Sequence, residues 1–448
     1  MVKMEESLAG KAVDTGMTDM ENLPDMVVSD GKGRIYDVPG LKMTGMNGRS
    51  ILLPGTDDLS PLPPGSDLFE LPDRIPVGYD PVEEEYVELE EYGGKKVIAV
   101  AAFMAPAYAQ THRASFRTKP HAPVLPLYSY TAAGWRDGAF YTAGIRVDED
   151  TRQDPETFNE EAVEAGAADL LRRHPGNRLA EHLVGNCVRR YRCPAARNLA
   201  LGRFEAPLPT SPSCNARCVG CLSLQEENAA PCAQERINFV PGAGEIAELA
   251  VEHLENAPRS VVSFGQGCEG EPLMQFEVLK RSIELIRKKT GKGTVNLNTN
   301  AGGPEEISEL FDAGLDSIRV SVNSFREEYY NRYFRPVSYK FGDVIESMTR
   351  ASAKGRWCSV NYFMFAGFTD SEAELEAFCS VMERTGADFI QMRNLNIDPD
   401  VYFEVLGEEA FDSPGIGIRE WKAAVAERFP SLGFGCFNPP REDWPDRA

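Results

Sequence analysis

Three cysteines at CxxxCxxC spacing, in Ser213-Cys214-Asn215-Ala216-Arg217-Cys218-Val219-Gly220-Cys221, are the most chemically specific feature of this chain. Three thiolates on one tight loop can hold three irons of a 4Fe–4S cube, whereas clusters that only relay electrons normally take four cysteines. The fourth iron is then open to a small molecule, so Cys214, Cys218 and Cys221 are candidate ligands of a reactive cluster. Zinc is the rival ion. It would need a fourth protein ligand, for which Cys232 is the candidate, and structural zinc sites commonly pair two CxxC-like groups. A lone CxxxCxxC is the wrong grouping for that.

The second chemical signal is Ser263-Phe264-Gly265-Gln266-Gly267-Cys268-Glu269-Gly270-Glu271-Pro272, which follows the apolar run Ser260-Val261-Val262. A β-like run that opens into glycines lets the backbone come close to a ligand where a strand ends. Together the cysteine triplet, the Glu269-Gly270-Glu271-Pro272 turn and the strands after them resemble the radical S-adenosylmethionine (radical SAM) superfamily, over about residues 205–400. That resemblance implies that the open iron binds the amino and carboxylate groups of S-adenosylmethionine. One-electron reduction would then release a 5′-deoxyadenosyl radical that abstracts hydrogen from a substrate. It also implies an external reductant such as flavodoxin or ferredoxin.

The same resemblance carries particular positions. Gly267, Glu269, Gly270, Glu271 and Pro272 would form the turn around the cofactor's amino group. Asn298 and Asn300 match the polar end of the family's third strand, and Ser321 and Asn323 the fourth-strand motif that faces the nucleoside and methionine. Arg393 ends a sixth strand, where its guanidinium suits a carboxylate of cofactor or substrate, or else a neighbouring acid. For Glu269 and Glu271 the alternative is capping of the following helix, since carboxylates favour helix N-termini. Two departures stand out. Gly220 precedes the third cysteine where the family often has an aromatic that packs on adenine, and the commoner Gly-Gly-Glu-Pro turn reads Glu-Gly-Glu-Pro.

The elements that must position these groups alternate along the chain. Helical periodicity marks 244–255, 275–289, 304–313, 341–353 and 371–385, and β-like runs mark 206–211, 260–264, 294–299, 317–322, 358–365 and 388–392. Repeated βαβ units predict an α/β fold with a parallel sheet. Six strands match a partial (β/α)6 TIM-like barrel, whose reactive groups lie at the carboxyl ends of the strands. Upstream the reading is a β-rich amino-terminal domain. Hairpins are expected at 86–103, turning at Gly93-Gly94, and at 128–147, turning within 134–138, followed by helices at 160–172 and 178–190. The domain expectation is 1–22 disordered, 23–200 an amino-terminal module with a helical connection, 201–400 the barrel, and 401–448 a helical extension.

Composition bounds the rest. The 448 residues are 42% hydrophobic and 26% charged, ordinary for globular chains. No apolar run approaches membrane-spanning length, and with no legible secretory signal the ten cysteines are expected reduced, in the cytoplasm. A net charge of −22 disfavours nucleic acid as a partner. The arginines at 189, 190, 192 and 197 form one basic cluster, read as an ion-paired helix face or a local RNA patch. Cys187, Cys193, Cys232 and Cys268 surround the triplet and would serve an auxiliary iron–sulfur cluster, or else are small buried hydrophobes. The expectation is a radical SAM enzyme acting on an unidentified substrate. Its rivals are a peptide- or protein-modifying enzyme that docks substrate on the amino-terminal module, and a non-catalytic iron–sulfur electron-transfer or sensor protein.

Overall fold

A computed structural model describes residues 2–3, 20–226 and 229–445, and the chain divides into two compact units. The expected disordered segment 1–22 falls mainly on residues 4–19, outside the described ones. One unit holds the described residues up to Val147 with Phe363–Ala377 and Arg393–Pro430. The other holds Asp148–Tyr362, Phe378–Met392 and the described residues from Ser431 onward.

The second unit is built on a curled parallel sheet whose strands lie in sequence order: β1 (Glu205–Pro207), β2 (Val261–Phe264), β3 (Thr294–Thr299), β4 (Ser317–Val322), β5 (Trp357–Met364), β6 (Phe389–Asn394) and β7 (Gly433–Gly435). It is a partial TIM-like barrel. Six strands were expected, and the seventh comes from the tail, where Gly433 pairs with Phe389 and Gly435 with Gln391. A three-residue strand with two glycines carries no alternating apolar pattern, so periodicity is blind to it.

The helices between strands cover the outer face because their apolar residues recur at helical spacing. In the helix Phe276–Lys289 the buried apolar positions are Leu279, Ile283 and Ile286. In Pro304–Ala313 they are Ile307, Leu310 and Phe311, and Gly314 ends that helix in the left-handed conformation at φ +112°. Periodicity missed the short helices Pro194–Ala200 and Glu327–Phe334, the latter burying Tyr329, Tyr330, Tyr333 and Phe334. These aromatic residues have low helix propensity, and burial decides their conformation instead.

The amino-terminal unit is β-rich, as expected. Asp25–Ser29 is central in an antiparallel sheet, flanked by Ile35–Met43 and Ala133–Arg136, while Ile98–Phe103 pairs along its length with Asp67–Leu71. Both expected hairpins need adjustment. Gly93-Gly94 does turn a short hairpin between Glu91–Tyr92 and Lys95–Lys96, but Glu85–Glu88 pairs with Arg74–Asp80 rather than with Ile98–Phe103. The second hairpin joins Ala133–Arg136 to Ala139–Thr142 through Asp137-Gly138, both at positive φ, so Gly134 and Trp135 lie in a strand and not in the loop. Gly134 is needed there because a Cβ would sit 2.7 Å from Pro24 and 2.8 Å from the Met43 sulfur.

Two buried arginines organise this unit. Arg74 pairs with Asp398 at 2.9 Å with both side chains 2% exposed, and Arg113 lies over the Phe365 ring at 4.4 Å. Trp135 packs edge-on against Phe140 with ring centres 4.6 Å apart. Among the described residues no helix is long and apolar enough to cross a membrane.

Candidate functional site

After β1 the chain runs irregularly to the helix Ala243–Asn256, and this connection carries the three cysteines. Two flanks fix the loop. The Arg217 and Val219 amides donate to the carbonyls of Phe334 (3.1 Å) and Tyr333 (3.0 Å), and the Val337 amide donates to that of Asn215 (2.9 Å). On the other side the Gly270 amide donates to Ser211 O at 2.6 Å and the Glu271 amide to Ser213 O at 2.8 Å. The glycine turn is thus bonded, backbone to backbone, to the residues leading into Cys214.

The thiols at this loop form one electrostatic group. Burial raises Cys214, with the Glu271 carboxylate next in weight. Burial raises Cys218 well above its ordinary range, reinforced by Cys221 and Cys214. Three thiolates cannot coexist there without a nearby cation. The Arg236 guanidinium supplies part of that charge, donating to Cys221 Sγ at 3.5 Å and to Ser223 Oγ at 3.2 Å. An iron cluster is the kind of group that would complete it.

Both turn glutamates are engaged within the protein. The Glu269 carboxylate accepts the amides of Thr210 (2.7 Å), Ser211 (2.9 Å), Gly265 (2.8 Å) and Gln266 (2.8 Å). Burial nevertheless pushes its carboxyl up to about 7, against the pull of those donors. Glu269 therefore ties the start of the cysteine loop to the end of β2 instead of capping a helix. Glu271 does cap, accepting the Leu273 amide, and also takes the Thr299 hydroxyl at 2.6 Å and the Asn300 amide at 2.8 Å at the end of β3. Two glycines are sterically required. A Cβ on Gly270 would lie 2.0 Å from Ser213 O, and one on Gly265, at φ +78°, 1.8 Å from Asn298 O. A Cβ on Gly267 would clash with the movable end of Gln234 at 2.3 Å, and Pro272 is buried at the start of the 3₁₀ turn Pro272–Gln275.

The strand ends divide into engaged and open groups. Asn300 Nδ2 donates to Asn215 Oδ1 at 2.6 Å, joining β3 to the cysteine loop, and Asn298 Nδ2 donates to Gly265 O at 2.7 Å. Ser321 Oγ accepts from Asn361 Nδ2 at 3.1 Å, and the buried Asn361 Oδ1 has no hydrogen-bond partner. That carbonyl is a fit for a ligand donor. Asn323 is fully buried and donates to Tyr329 O at 3.3 Å, so it braces the helix Glu327–Phe334. Arg393 is partly buried on β6, and its side chain makes no ion pair or hydrogen bond among the described residues.

A polar network inside the sheet escaped sequence reasoning. Asn438 Nδ2 donates to Glu205 Oε1 at 2.7 Å, its Oδ1 accepts from Gln391 Nε2 at 2.7 Å, and Gln391 Oε1 accepts from Arg319 at 2.9 Å. Asn296 bridges Ser263 on β2 and Ser317 on β4. The strand members lie on one face by the period of two, a signal the sequence does carry. Asn438 gives no such signal, because it follows the short β7. Of the basic cluster, Arg189 pairs with Glu164, Arg190 with Glu235, and Arg192 and Arg197 with Glu160, which leaves an ion-paired face and no phosphate patch.

The Radical SAM superfamily model matches residues 208–379, a span that contains the cysteine loop, the glycine turn and the carboxyl ends of β2 to β4. That span matches a radical SAM domain. The chain is 26% identical over 162 residues to an uncharacterized protein of Methanocaldococcus jannaschii, covering 35% of this chain. The match takes in 56% of that relative, so the chain spans about half the length of the curated relative it matches. Among solved structures, HydG, a maturase of the FeFe-hydrogenase, is similar at a TM-score of 0.37 and 16% identity, covering 62% of this chain and 66% of that one. SuiB of Streptococcus suis, crystallised with S-adenosylmethionine, is similar at a TM-score of 0.38 and 12% identity, covering 58% of this chain and 54% of that one.

Proposed function

We propose that this chain is a radical SAM enzyme that holds a 4Fe–4S cluster on Cys214, Cys218 and Cys221 and S-adenosylmethionine against the turn 267–272 and the ends of β3 to β5. The observation that carries this reading is the direct bonding of the glycine turn to the cysteine loop, at 2.6 and 2.8 Å, with no room for a Cβ on Gly270. That arrangement would set the backbone of the turn beside the iron that a three-cysteine loop leaves open.

When bound, the cluster and cofactor supply one-electron cleavage of S-adenosylmethionine to methionine and a 5′-deoxyadenosyl radical, which takes hydrogen from substrate. This chain's residues do the positioning. Glu269 and Glu271 hold the turn rigid through seven donors, leaving backbone groups to meet the cofactor's ammonium. Asn361 Oδ1 and Ser321 Oγ offer acceptors for ribose hydroxyls or the ammonium. Arg393 offers a guanidinium to a carboxylate of cofactor or substrate. Arg236 balances charge at Cys221. An external one-electron reductant, flavodoxin or ferredoxin, completes the scheme, in the cytoplasm.

The test is anaerobic. The protein is reconstituted with iron and sulfide, given dithionite and S-adenosylmethionine, and assayed for 5′-deoxyadenosine beside Cys218→Ala. Product from the wild type alone supports the reading. A wild type that holds its cluster, makes no 5′-deoxyadenosine and shows no spectral change with S-adenosylmethionine would overturn it in favour of an electron-transfer or sensor protein.

A further inference from the structure

Outside the three-cysteine loop, one imidazole nitrogen of His182 and the sulfurs of Cys187 and Cys268 lie within 4.8 Å of one another, with the two sulfurs 4.0 Å apart. The two thiols are buried, Cys187 4% and Cys268 5% exposed, and His182 is half-buried. His182 Nε2 is inaccessible to solvent and makes no well-formed hydrogen bond, the Cys268 thiol being the polar group beside the ring, which meets Phe239 edge-on with centres 6.0 Å apart. A buried imidazole nitrogen left without a partner is costly unless something fills the gap.

The backbone supplies an independent sign. Leu183–Arg190 is wound as an eight-residue π-helix directly after the α-helix Arg178–His182, with the Tyr191 amide donating to Asn186 O at 3.0 Å. Such winding is rare, occurs mostly as single turns, and is frequent at functional sites. Its i→i+5 bonding sets residues five apart nearly above one another, and His182 and Cys187 are five apart. Ordinary α-winding would swing them to different faces.

Distances choose among metal chemistries. Tetrahedral zinc with its usual bond lengths places two thiolate sulfurs about 3.8 Å apart, and a sulfur and an imidazole nitrogen about 3.6 Å apart. A disulfide needs sulfurs at about 2.05 Å. In a 4Fe–4S cube each thiolate takes its own iron, which spreads the sulfurs far beyond contact. Cys193 lies outside this three-residue group but next to it in the fold: its amide donates to Cys187 O at 2.8 Å, and the Cys268 thiol acts electrostatically on its own thiol. Cys232, the remaining thiol of the expected auxiliary set, is exposed and outside the group.

We propose that His182, Cys187 and Cys268, with Cys193 as fourth ligand, bind a single zinc ion that fastens the helical segment 178–190 to the glycine turn. Cys268 is bonded in sequence to Glu269, whose carboxylate holds Thr210 and Ser211 ahead of the cysteine loop. The ion therefore stiffens the back of the proposed cofactor turn without contacting cofactor. The inference stands independently of the radical reaction.

The test uses the full chain carrying Cys214→Ala, Cys218→Ala and Cys221→Ala, purified without added metal or chelator. About one zinc per chain and no acid-labile sulfide is expected, and adding Cys268→Ser or Cys187→Ser should lower zinc at least about tenfold. Cobalt in place of zinc should give thiolate charge-transfer absorption. Should the serine variants fail to fold, His182→Asn decides, by losing zinc to a competing chelator at lower concentration. X-ray absorption at the zinc edge of the wild type should show a sulfur-dominated shell with one nitrogen. Absence of zinc and of cobalt uptake, an all-oxygen shell, or zinc unchanged by these substitutions would overturn the site. Iron with sulfide in the triple variant would replace it with an auxiliary cluster.

Discussion

Gly270→Ala puts the most weight on the smallest chemical change. The new methyl would sit 2.0 Å from Ser213 O and 2.5 Å from the Ser213 carbonyl carbon, and both are backbone atoms that cannot swing aside like a side chain. Relief requires the turn and the cysteine loop to part by more than about 1 Å, since ordinary carbon–oxygen contacts begin near 3.4 Å. That separation carries the two bonds now at 2.6 and 2.8 Å beyond hydrogen-bonding range. Two lost bonds at about 1 kcal/mol each, plus about 1–3 kcal/mol of overpacking, give about 3–5 kcal/mol of local destabilisation. The strain falls on the seam between cluster loop and cofactor turn. Anaerobic reconstitution should therefore yield less iron and sulfide per chain, with 5′-deoxyadenosine falling at least about a hundredfold, as 3 kcal/mol implies. Gly342→Ala is the control, because nothing lies within 4 Å of a Cβ there, and it should stabilise the helix by up to about 1 kcal/mol. If Gly270→Ala matches wild type in cluster content, product and thermal midpoint, the inferred contact between turn and loop is wrong.

Other substitutions test other parts. Asn361→Leu removes the carbonyl that lacks a partner together with its bond to Ser321, and should weaken S-adenosylmethionine binding about tenfold by titration calorimetry while leaving cluster content unchanged. Asn438→Ala strands Glu205 and Gln391 and should lower stability by about 2–4 kcal/mol in denaturant titration; a loss under about 0.5 kcal/mol would refute the network's importance. Burial, aided by Arg113, lowers His112 to about 4, so its neutral form supports the fold above pH 6.5 and that support, about 3 kcal/mol, is lost as pH falls through 4. Burial raises Asp370 to about 6, so its contribution has the opposite sign, full below pH 3.8 and lost as pH rises through 6. Between pH 6.5 and 4 the two nearly cancel, and His112→Asn should gain stability on acidification relative to wild type while Asp370→Asn loses it, read from unfolding midpoints.

The barrel was legible because its strands and helices obey their periods. Thr294–Thr299, Pro304–Ala313, Ser317–Val322 and Phe341–Ala353 have the boundaries that periodicity gives. Elements held by tertiary contact were not. The helix Glu327–Phe334 depends on burying its own aromatics, and β7 on a parallel partner supplied by β6. In the amino-terminal unit, turns were visible from Gly93-Gly94 and Asp137-Gly138, but strand partners were not. A turn fixes which residues reverse direction, whereas pairing depends on packing against strands distant in sequence. Glu85–Glu88 chose Arg74–Asp80 for that reason.

At the site, residue type was easier to read than residue role. Glu269 and Glu271 were placed at the cofactor turn from a four-residue pattern, yet their carboxylates spend their acceptors on the chain itself. This follows from burial, because a carboxylate removed from water must find donors, and backbone amides at a tight turn are the nearest ones. The neighbouring backbone and the less engaged Asn361 are then left as the groups free to meet a ligand. The same logic explains why Cys268 was hard to assign. In sequence it is one more thiol beside a glycine turn, and only the π-wound segment, coming from some eighty residues earlier, brings His182 and Cys187 against it. A donor set assembled from segments this far apart leaves no spacing to read, whereas the CxxxCxxC loop, closed within nine residues, leaves its spacing in plain view.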